Sequence, residues 1–134
     1  MFTYQIIIEY DGTNFVGWQK QKNGPSIQQS IEKILTKILK EKIALYGSGR
    51  TDAGVHALGQ SAHFISKSKV DNKFLFLNSI NFFLHKKKIS ILRINTKKFN
   101  FHARFSAKKR EYKYAIVNRI APLSLEFNRA WHIK

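Results

Sequence analysis

An α+β fold, an antiparallel sheet with helices packed on one face, is predicted by three features of this 134-residue sequence. Phe2 to Tyr10 alternates apolar and polar positions with a period of two, the pattern of a strand with one buried face. Two later stretches, opening at Ser26 and Asp71, place apolar residues at helical spacing. Short apolar runs bounded by turn residues lie between and after them, so strands and helices interleave along the chain. The length suits one domain, residues 1–134, large enough to bury a core.

In order, Phe2, Tyr4, Ile6, Ile8 and Tyr10 form the apolar face of the first strand, and Asp11-Gly12-Thr13-Asn14 ends it with turn chemistry. Phe15 to Gln21 has no period, and its Trp18 is either a packed lid residue or a platform for bases, with the lid favoured. Ser26 suits a helix N-cap, with Gln29 reaching back in a capping box. Ile27, Ile31, Ile34, Leu35 and Ile38 then line one face, opposite Lys33, Lys37 and Lys40. Ile43 to Tyr46 reads as a short strand that enters a glycine-rich loop, and Gln60 to Ile65 as the strand that leaves it. Asp71 is the expected N-cap of a second helix. Its surface is set by Phe74, Leu77, Asn78, Asn81 and Leu84, broadened by Leu75, Ile80 and Phe82. Lys86-Lys87-Lys88 complements the dipole at its end. Ile89 to Ile94 and Lys108 to Val117 are the last strands, with Arg110, Tyr112, Tyr114 and Ile116 on one side of the latter. The resulting order, β-α-β-β-α-β and one extra strand, is the split βαβ, ferredoxin-like plan, with the sheet face opposite the helices open for RNA or a second half-domain.

Composition narrows the classes of function. At 43% hydrophobic residues the chain is not of a disordered type. No apolar run approaches the roughly 20 residues of a membrane span, so no membrane role is expected. The start lacks the pattern of a signal peptide. There is no cysteine, which rules out disulfides and thiolate metal sites and fits a cytoplasmic location. The five histidines show no metal-ligand spacing, so no metal site is expected. His56 and His102 are expected to make structural hydrogen bonds. Twenty-four basic residues against eight acidic give a net charge of +16. Eighteen of the 24 are Lys, in a chain also rich in Ile, Asn and Phe, a mixture that biased genome composition also produces. Residues 67–134, however, hold 17 of the 24 with only Asp71, Glu111 and Glu126 against them. A polyanion, foremost a nucleic acid, is the expected partner.

The candidate chemistry lies in Gly47-Ser48-Gly49-Arg50-Thr51-Asp52-Ala53-Gly54-Val55-His56. A glycine-rich backbone approaches a ligand closely, and here it carries one cation, Arg50, two positions from one carboxylate, Asp52. Such a carboxylate serves as a nucleophile, a metal ligand or a salt-bridge partner, and structural ion pairs are the commonest of the three.

Longer motifs decide among them. Tyr10-Asp11-Gly12-Thr13 through Gly17-Trp18-Gln19, Gly49 to Ala57 with Gly59-Gln60, Leu77-Asn78, Phe101-His102-Ala103-Arg104-Phe105-Ser106-Ala107 and Arg110-Glu111-Tyr112-Lys113-Tyr114 together resemble the N-terminal half of the tRNA pseudouridine synthase A (TruA) family. The resemblance implies half of a pseudouridine synthase catalytic fold. It implies isomerisation of uridine to pseudouridine in the anticodon stem-loop of tRNA, without metal or cofactor. Asp52 falls at the family's nucleophilic aspartate, Arg50 at the arginine that pairs with it and helps displace the target nucleotide, and Tyr112 at the tyrosine that contacts the target base. The chemistry of the residues fits. A base in a helical stem must be flipped out at a cost of a few kcal/mol, Arg50 suits the vacated space, and a tyrosine face supplies roughly 1–3 kcal/mol of stacking. Arg104, Lys108, Lys109 and Arg110 are the expected phosphate contacts. Tyr114 is expected in the core. Family members carry a second half that completes the cleft, and their full-length form is expected to be a homodimer. These 134 residues lack that half, and a truncated product, an excised single domain and a short form pairing with another chain all fit. The alternative reading is an RNA-binding half-domain that turns over nothing alone.

Overall fold

The computed structural model describes residues 1–134. Its elements run β1 (Phe2–Tyr10), α1 (Ile27–Leu39), β2 (Tyr46–Gly47), β3 (Ala57–Ser66), α2 (Lys73–Leu84), β4 (Ile89–Lys97), β5 (Ile116–Asn118) and β6 (Trp131–Ile133), with a 3-10 turn at His85–Lys87. The main sheet has the order β2-β3-β1-β4, and every neighbouring pair is antiparallel. Because β1 and β2 both oppose β3, they are parallel to each other with β3 inserted between them, and α1 is their crossover. The same relation holds for β3 and β4 around β1, with α2 as crossover. Two interleaved split βαβ units are the expected ferredoxin-like plan.

Alternation in β1 buries Tyr4, Ile6, Ile8 and Tyr10 against the helices. Ile27, Ile31 and Leu35 of α1 and Phe76, Ile80 and Leu84 of α2 complete one cluster of 20 buried residues. Ser26 caps α1 as expected, its hydroxyl accepting the Gln29 amide proton at 3.1 Å. The Gln29 side chain does not return the bond; the neighbouring Gln28 amide instead bridges Lys20 N and Leu45 O.

Five further expectations are corrected. Ile43 to Leu45 is not a strand, because α1 side chains take its backbone groups: Thr36 Oγ1 accepts from Ile43 N, Glu32 Oε2 from Leu45 N, and Gln28 Nε2 donates to Leu45 O. Asn72, not Asp71, caps α2, its Oδ1 accepting from Leu75 N at 3.0 Å. The buried stripe of α2 is Phe76, Ile80 and Leu84, while Phe74, Leu75 and Phe82 face solvent. Asn81 faces β4, where its amide both accepts from Ile91 N and donates to Ile91 O. That bond pair closes the bulge at which β4 shifts register against Ile7 and Ile8. Finally, the strand expected over Lys108–Val117 is reduced to Ile116–Asn118, which pairs with β6 in a separate two-stranded sheet. The stretch before it crosses the glycine loop without a ladder, and Tyr114, expected in the core, is 91% exposed.

Candidate active site

The loop bearing Arg50 and Asp52 is seated on the segment that follows β1. Tyr10 reaches it with a 2.8 Å bond between its hydroxyl and Thr51 Oγ1, and burial raises the Tyr10 pKa. Trp18 N donates to Thr51 O at 3.0 Å, and Gly17 forms an antiparallel bridge with Asp52. Side chains do not fit along this seam. A Cβ on Gly17, whose φ is +113°, would lie 2.5 Å from Thr51 O, and one on Gly12 would lie 2.0 Å from Val55 O. The two glycines in the motif after β1 are therefore required by the loop they carry. Trp18 is buried, its ring tilted against Tyr10 at 6.3 Å between ring centres, which bears out its reading as a packed loop residue.

The far end of the loop is fixed as firmly. Val55 N closes a turn onto Asp52 O, and Gly12 N donates to His56 Nδ1 at 2.9 Å. With Nδ1 accepting, the His56 proton sits on Nε2, which donates to Asn128 O. His56 thus has the structural role expected of it. Asp11 beside it accepts from the hydroxyl and amide of Thr13, which hold its carboxyl below the usual range, assisted by the Arg129 guanidinium. His102, likewise, accepts the Arg104 amide proton at 3.1 Å.

On this seat Asp52 and Arg50 are both exposed. The expected ion pair between them is not formed; the ion pairs present join Arg129 to Asp11 and Lys109 to Glu111. Arg50 instead lines a cleft of about 590 Å³ together with Trp18, Tyr46, Arg104, Phe105 and Arg110. No carboxylate lines that cleft, so it is an anion-attracting cavity with one edge at the Asp52 loop.

The C-terminal residues singled out in the sequence divide into three groups. Tyr112 comes to the loop: its hydroxyl lies 3.8 Å from where a Cβ on Gly49 would stand. Arg110 comes to it also, but as a strut. Its guanidinium donates to Ser48 O through Nε at 3.1 Å and Nη2 at 2.8 Å, and to Arg104 O at 3.1 Å. Arg104 lies on the cleft wall with its guanidinium 5.8 Å from the Phe105 ring centre. Lys108 and Lys109 are exposed, and Lys109 forms only a loose 3.8 Å pair with Glu111. The structure therefore gathers Arg50, Arg104 and Arg110 in one cleft and brings Tyr112 to the loop that carries Asp52, with the two lysines on the exposed stretch just before Arg110.

Sequence reasoning missed the aromatic wall. Tyr46 stacks on His63 with ring centres 5.1 Å apart, His63 meets His102 edge-on at 4.5 Å, and His102 meets Phe105 at 4.4 Å. His63 is buried, and burial, with help from His102, lowers its pKa to about 4. The signal available was the density of rings in Phe99–Phe105, but nothing in the spacing ties that segment to Tyr46.

The likeness to known proteins follows the same residues. A sequence model described as tRNA pseudouridine synthase matches residues 6–106. The chain is 58% identical over 133 residues to tRNA pseudouridine synthase A of Pelagibacter ubique, with 99% of this chain and 54% of the relative covered. It is 50% identical to the protein of that name from Ehrlichia ruminantium and 48% identical to that of Neorickettsia sennetsu, covering 52% and 54% of them. It thus spans about half the length of these curated relatives. The matched region takes in the glycine loop, the segment that seats it and the wall beside it, and it places this chain in the tRNA pseudouridine synthase family.

Proposed function

We propose that the protein isomerises uridine to pseudouridine in the anticodon stem-loop of tRNA, with Asp52 as nucleophile and no cofactor. The reaction breaks the bond from the ribose C1′ to N1 of the base and forms one from C1′ to C5. The proton lost from C5 is balanced by the one gained at N1, so no oxidant or metal is required. The observation that carries this reading is the setting of Asp52. Its loop is pinned at Thr51, Asp52 and His56, its side chain is left open to a substrate, and an acid-free cleft with three arginines adjoins it. Such a site holds a polyanion while presenting one fixed carboxylate. Arg50 suits the space of a flipped nucleotide, Tyr112 the face of the extruded base, and Arg104, Lys108 and Lys109 the phosphates.

A second reading, an RNA-binding half that turns over only with more polypeptide beside it, is favoured by one observation. Tyr114, Ile120, Leu125 and Trp131, all within one stretch of chain, are strongly exposed, and exposed apolar side chains in such number suit an interface. A homodimer, or the remaining length seen in the relatives, would cover them.

One experiment addresses both. Unmodified tRNA is incubated with the protein and with Asp52→Asn, and pseudouridine is measured. Asp52→Asn should form none while binding tRNA within about 3-fold, because only the ionised carboxylate is lost. Pseudouridine made by the variant would sink the nucleophile assignment. Binding without turnover in the unsubstituted chain would select the second reading.

A further inference from the structure

We propose that the Tyr46–His102–Phe105 wall of the cleft is a second stacking subsite, which takes an unpaired RNA nucleobase neighbouring the one on which Asp52 acts. The proposal rests on the reading of the protein as an RNA-modifying enzyme. It starts from an imbalance in the packing. Phe105 is 78% exposed and Tyr46 48% exposed, so neither ring gives the core much of its apolar area. Both nevertheless line the same cleft and are connected through His102 and His63 by successive ring contacts of 4.4 to 5.1 Å. A row of rings backed by a buried member and open at its end offers a π-face to a further ring, and every nucleobase has one.

The wall is built to stay in place. His102 N donates to Ser106 Oγ at 3.0 Å and Ser106 N to His102 O at 2.7 Å. His102 Nδ1 accepts from Arg104 N at 3.1 Å, and Ala103 N donates to His63 Nδ1 at 3.0 Å. The turn bearing Phe105 is therefore ordered before any ligand arrives, which spares the ordering cost of binding. His63, the buried member, is uncharged at neutral pH, so that ring repels no cation beside it. Those cations are Arg50 and Arg104, placed to meet the phosphates on either side of a base lodged there, while Arg110 is held by the Ser48 and Arg104 carbonyls. The cleft, about 590 Å³, falls within the roughly 300–1,000 Å³ usual for small-ligand pockets. Asp52 is not among the residues lining it, so a base stacked on this wall is not the one being rearranged.

The test uses an RNA stem-loop in which 2-aminopurine replaces each unpaired base in turn, at saturating protein. One position is expected to lose fluorescence on binding, as the probe stacks. Phe105→Ala should abolish that quenching and weaken binding by roughly 5- to 150-fold, the range for one base–aromatic stack. Phe105→Tyr should preserve both, since the ring remains. Phe99→Ala removes an even more exposed ring that does not line the cleft and should match the unsubstituted protein. Quenching and affinity unchanged to within 2-fold in Phe105→Ala would overturn the subsite while leaving the RNA-modifying reading standing. Failure of the unsubstituted protein to bind the stem-loop would overturn that reading, and the subsite with it.

Discussion

His63 stands opposite Gln5 in the sheet, and the segment after β4 folds over it. Its Nδ1 lone pair is taken by the Ala103 amide, its ring by Tyr46 and His102, and only 2% of it is exposed. Charging this ring would bury a cation, and with a smaller contribution from the neighbouring His102 this lowers its pKa from 6.5 to about 4. The sign for stability follows directly. Between those values the unfolded chain binds a proton that the folded chain does not, so stability drops as the pH is lowered from 6.5 to about 4. Below that window both states are protonated and His63 adds no further slope. His63→Asn keeps a short acceptor for the Ala103 amide and removes the titration. Thermal midpoints of the two proteins should run parallel above pH 6.5, whatever their offset. They should converge, or cross, as the pH falls, with the unsubstituted protein losing a few degrees more. Parallel curves throughout would contradict the burial argument. Asp11 and Glu41, whose pKa values are also lowered by hydrogen bonds, lose their own contribution in acid in both proteins alike.

Among the elements, what the sequence made legible was what local pattern decides. β1 announces itself by alternation, α1 by its apolar stripe and Ser26 cap, and the glycine loop by composition; all three stand where they were expected. The illegible parts are those whose backbone is satisfied by distant side chains. Ile43–Leu45 has the composition of a strand but gives its hydrogen bonds to Glu32, Thr36 and Gln28. Lys108–Ala115 alternates as a strand should, yet Arg110 draws it across the loop at Ser48. Neither contact has a signature in spacing. The same limit applied to the site, where the aspartate loop was visible and the wall from Tyr46 to Phe105 was not. The strut also revises what Arg110 is for. A phosphate contact would tolerate lysine, which retains the charge, whereas a strut that donates three bonds to two carbonyls would not, because lysine lacks the planar fork. Arg110→Lys should therefore speed amide hydrogen exchange across Gly47–Asp52 by about 10-fold or more, given roughly 1.5–3 kcal/mol for bonds to a charged donor. tRNA affinity at fixed salt should change by less than about 3-fold. The opposite outcome, weakened affinity with an unchanged loop, would return Arg110 to the phosphate contacts.

For the molecule as a whole, the net charge of +16 raises the question of whether the RNA proposed as its partner would be held by a diffuse field or by particular groups. A diffuse field attracts from every side and is screened beyond roughly 10 Å at 0.1 M salt. Specific contacts instead release a counterion for each phosphate neutralised, giving a slope that counts them. Of the cations on the Asp52 loop and on the Arg104–Arg110 segment that meets it, those not already consumed by carbonyls are Arg50, Arg104, Lys108 and Lys109. Four such contacts, at about 0.7–0.9 each, predict a slope of log K against log salt near −3. The double variant Lys108→Gln, Lys109→Gln should flatten it by about 1.5, since each lysine counts once. The control is the pair Lys33→Gln, Lys40→Gln, exposed on α1 and equal to it in net charge removed. If charge acts through particular contacts, the control pair leaves the slope unchanged even though both variants reduce the overall field equally. Equal flattening by the two pairs would mean that the surplus of lysine acts as a cloud, and that Lys108 and Lys109 have no privileged hold on the RNA backbone.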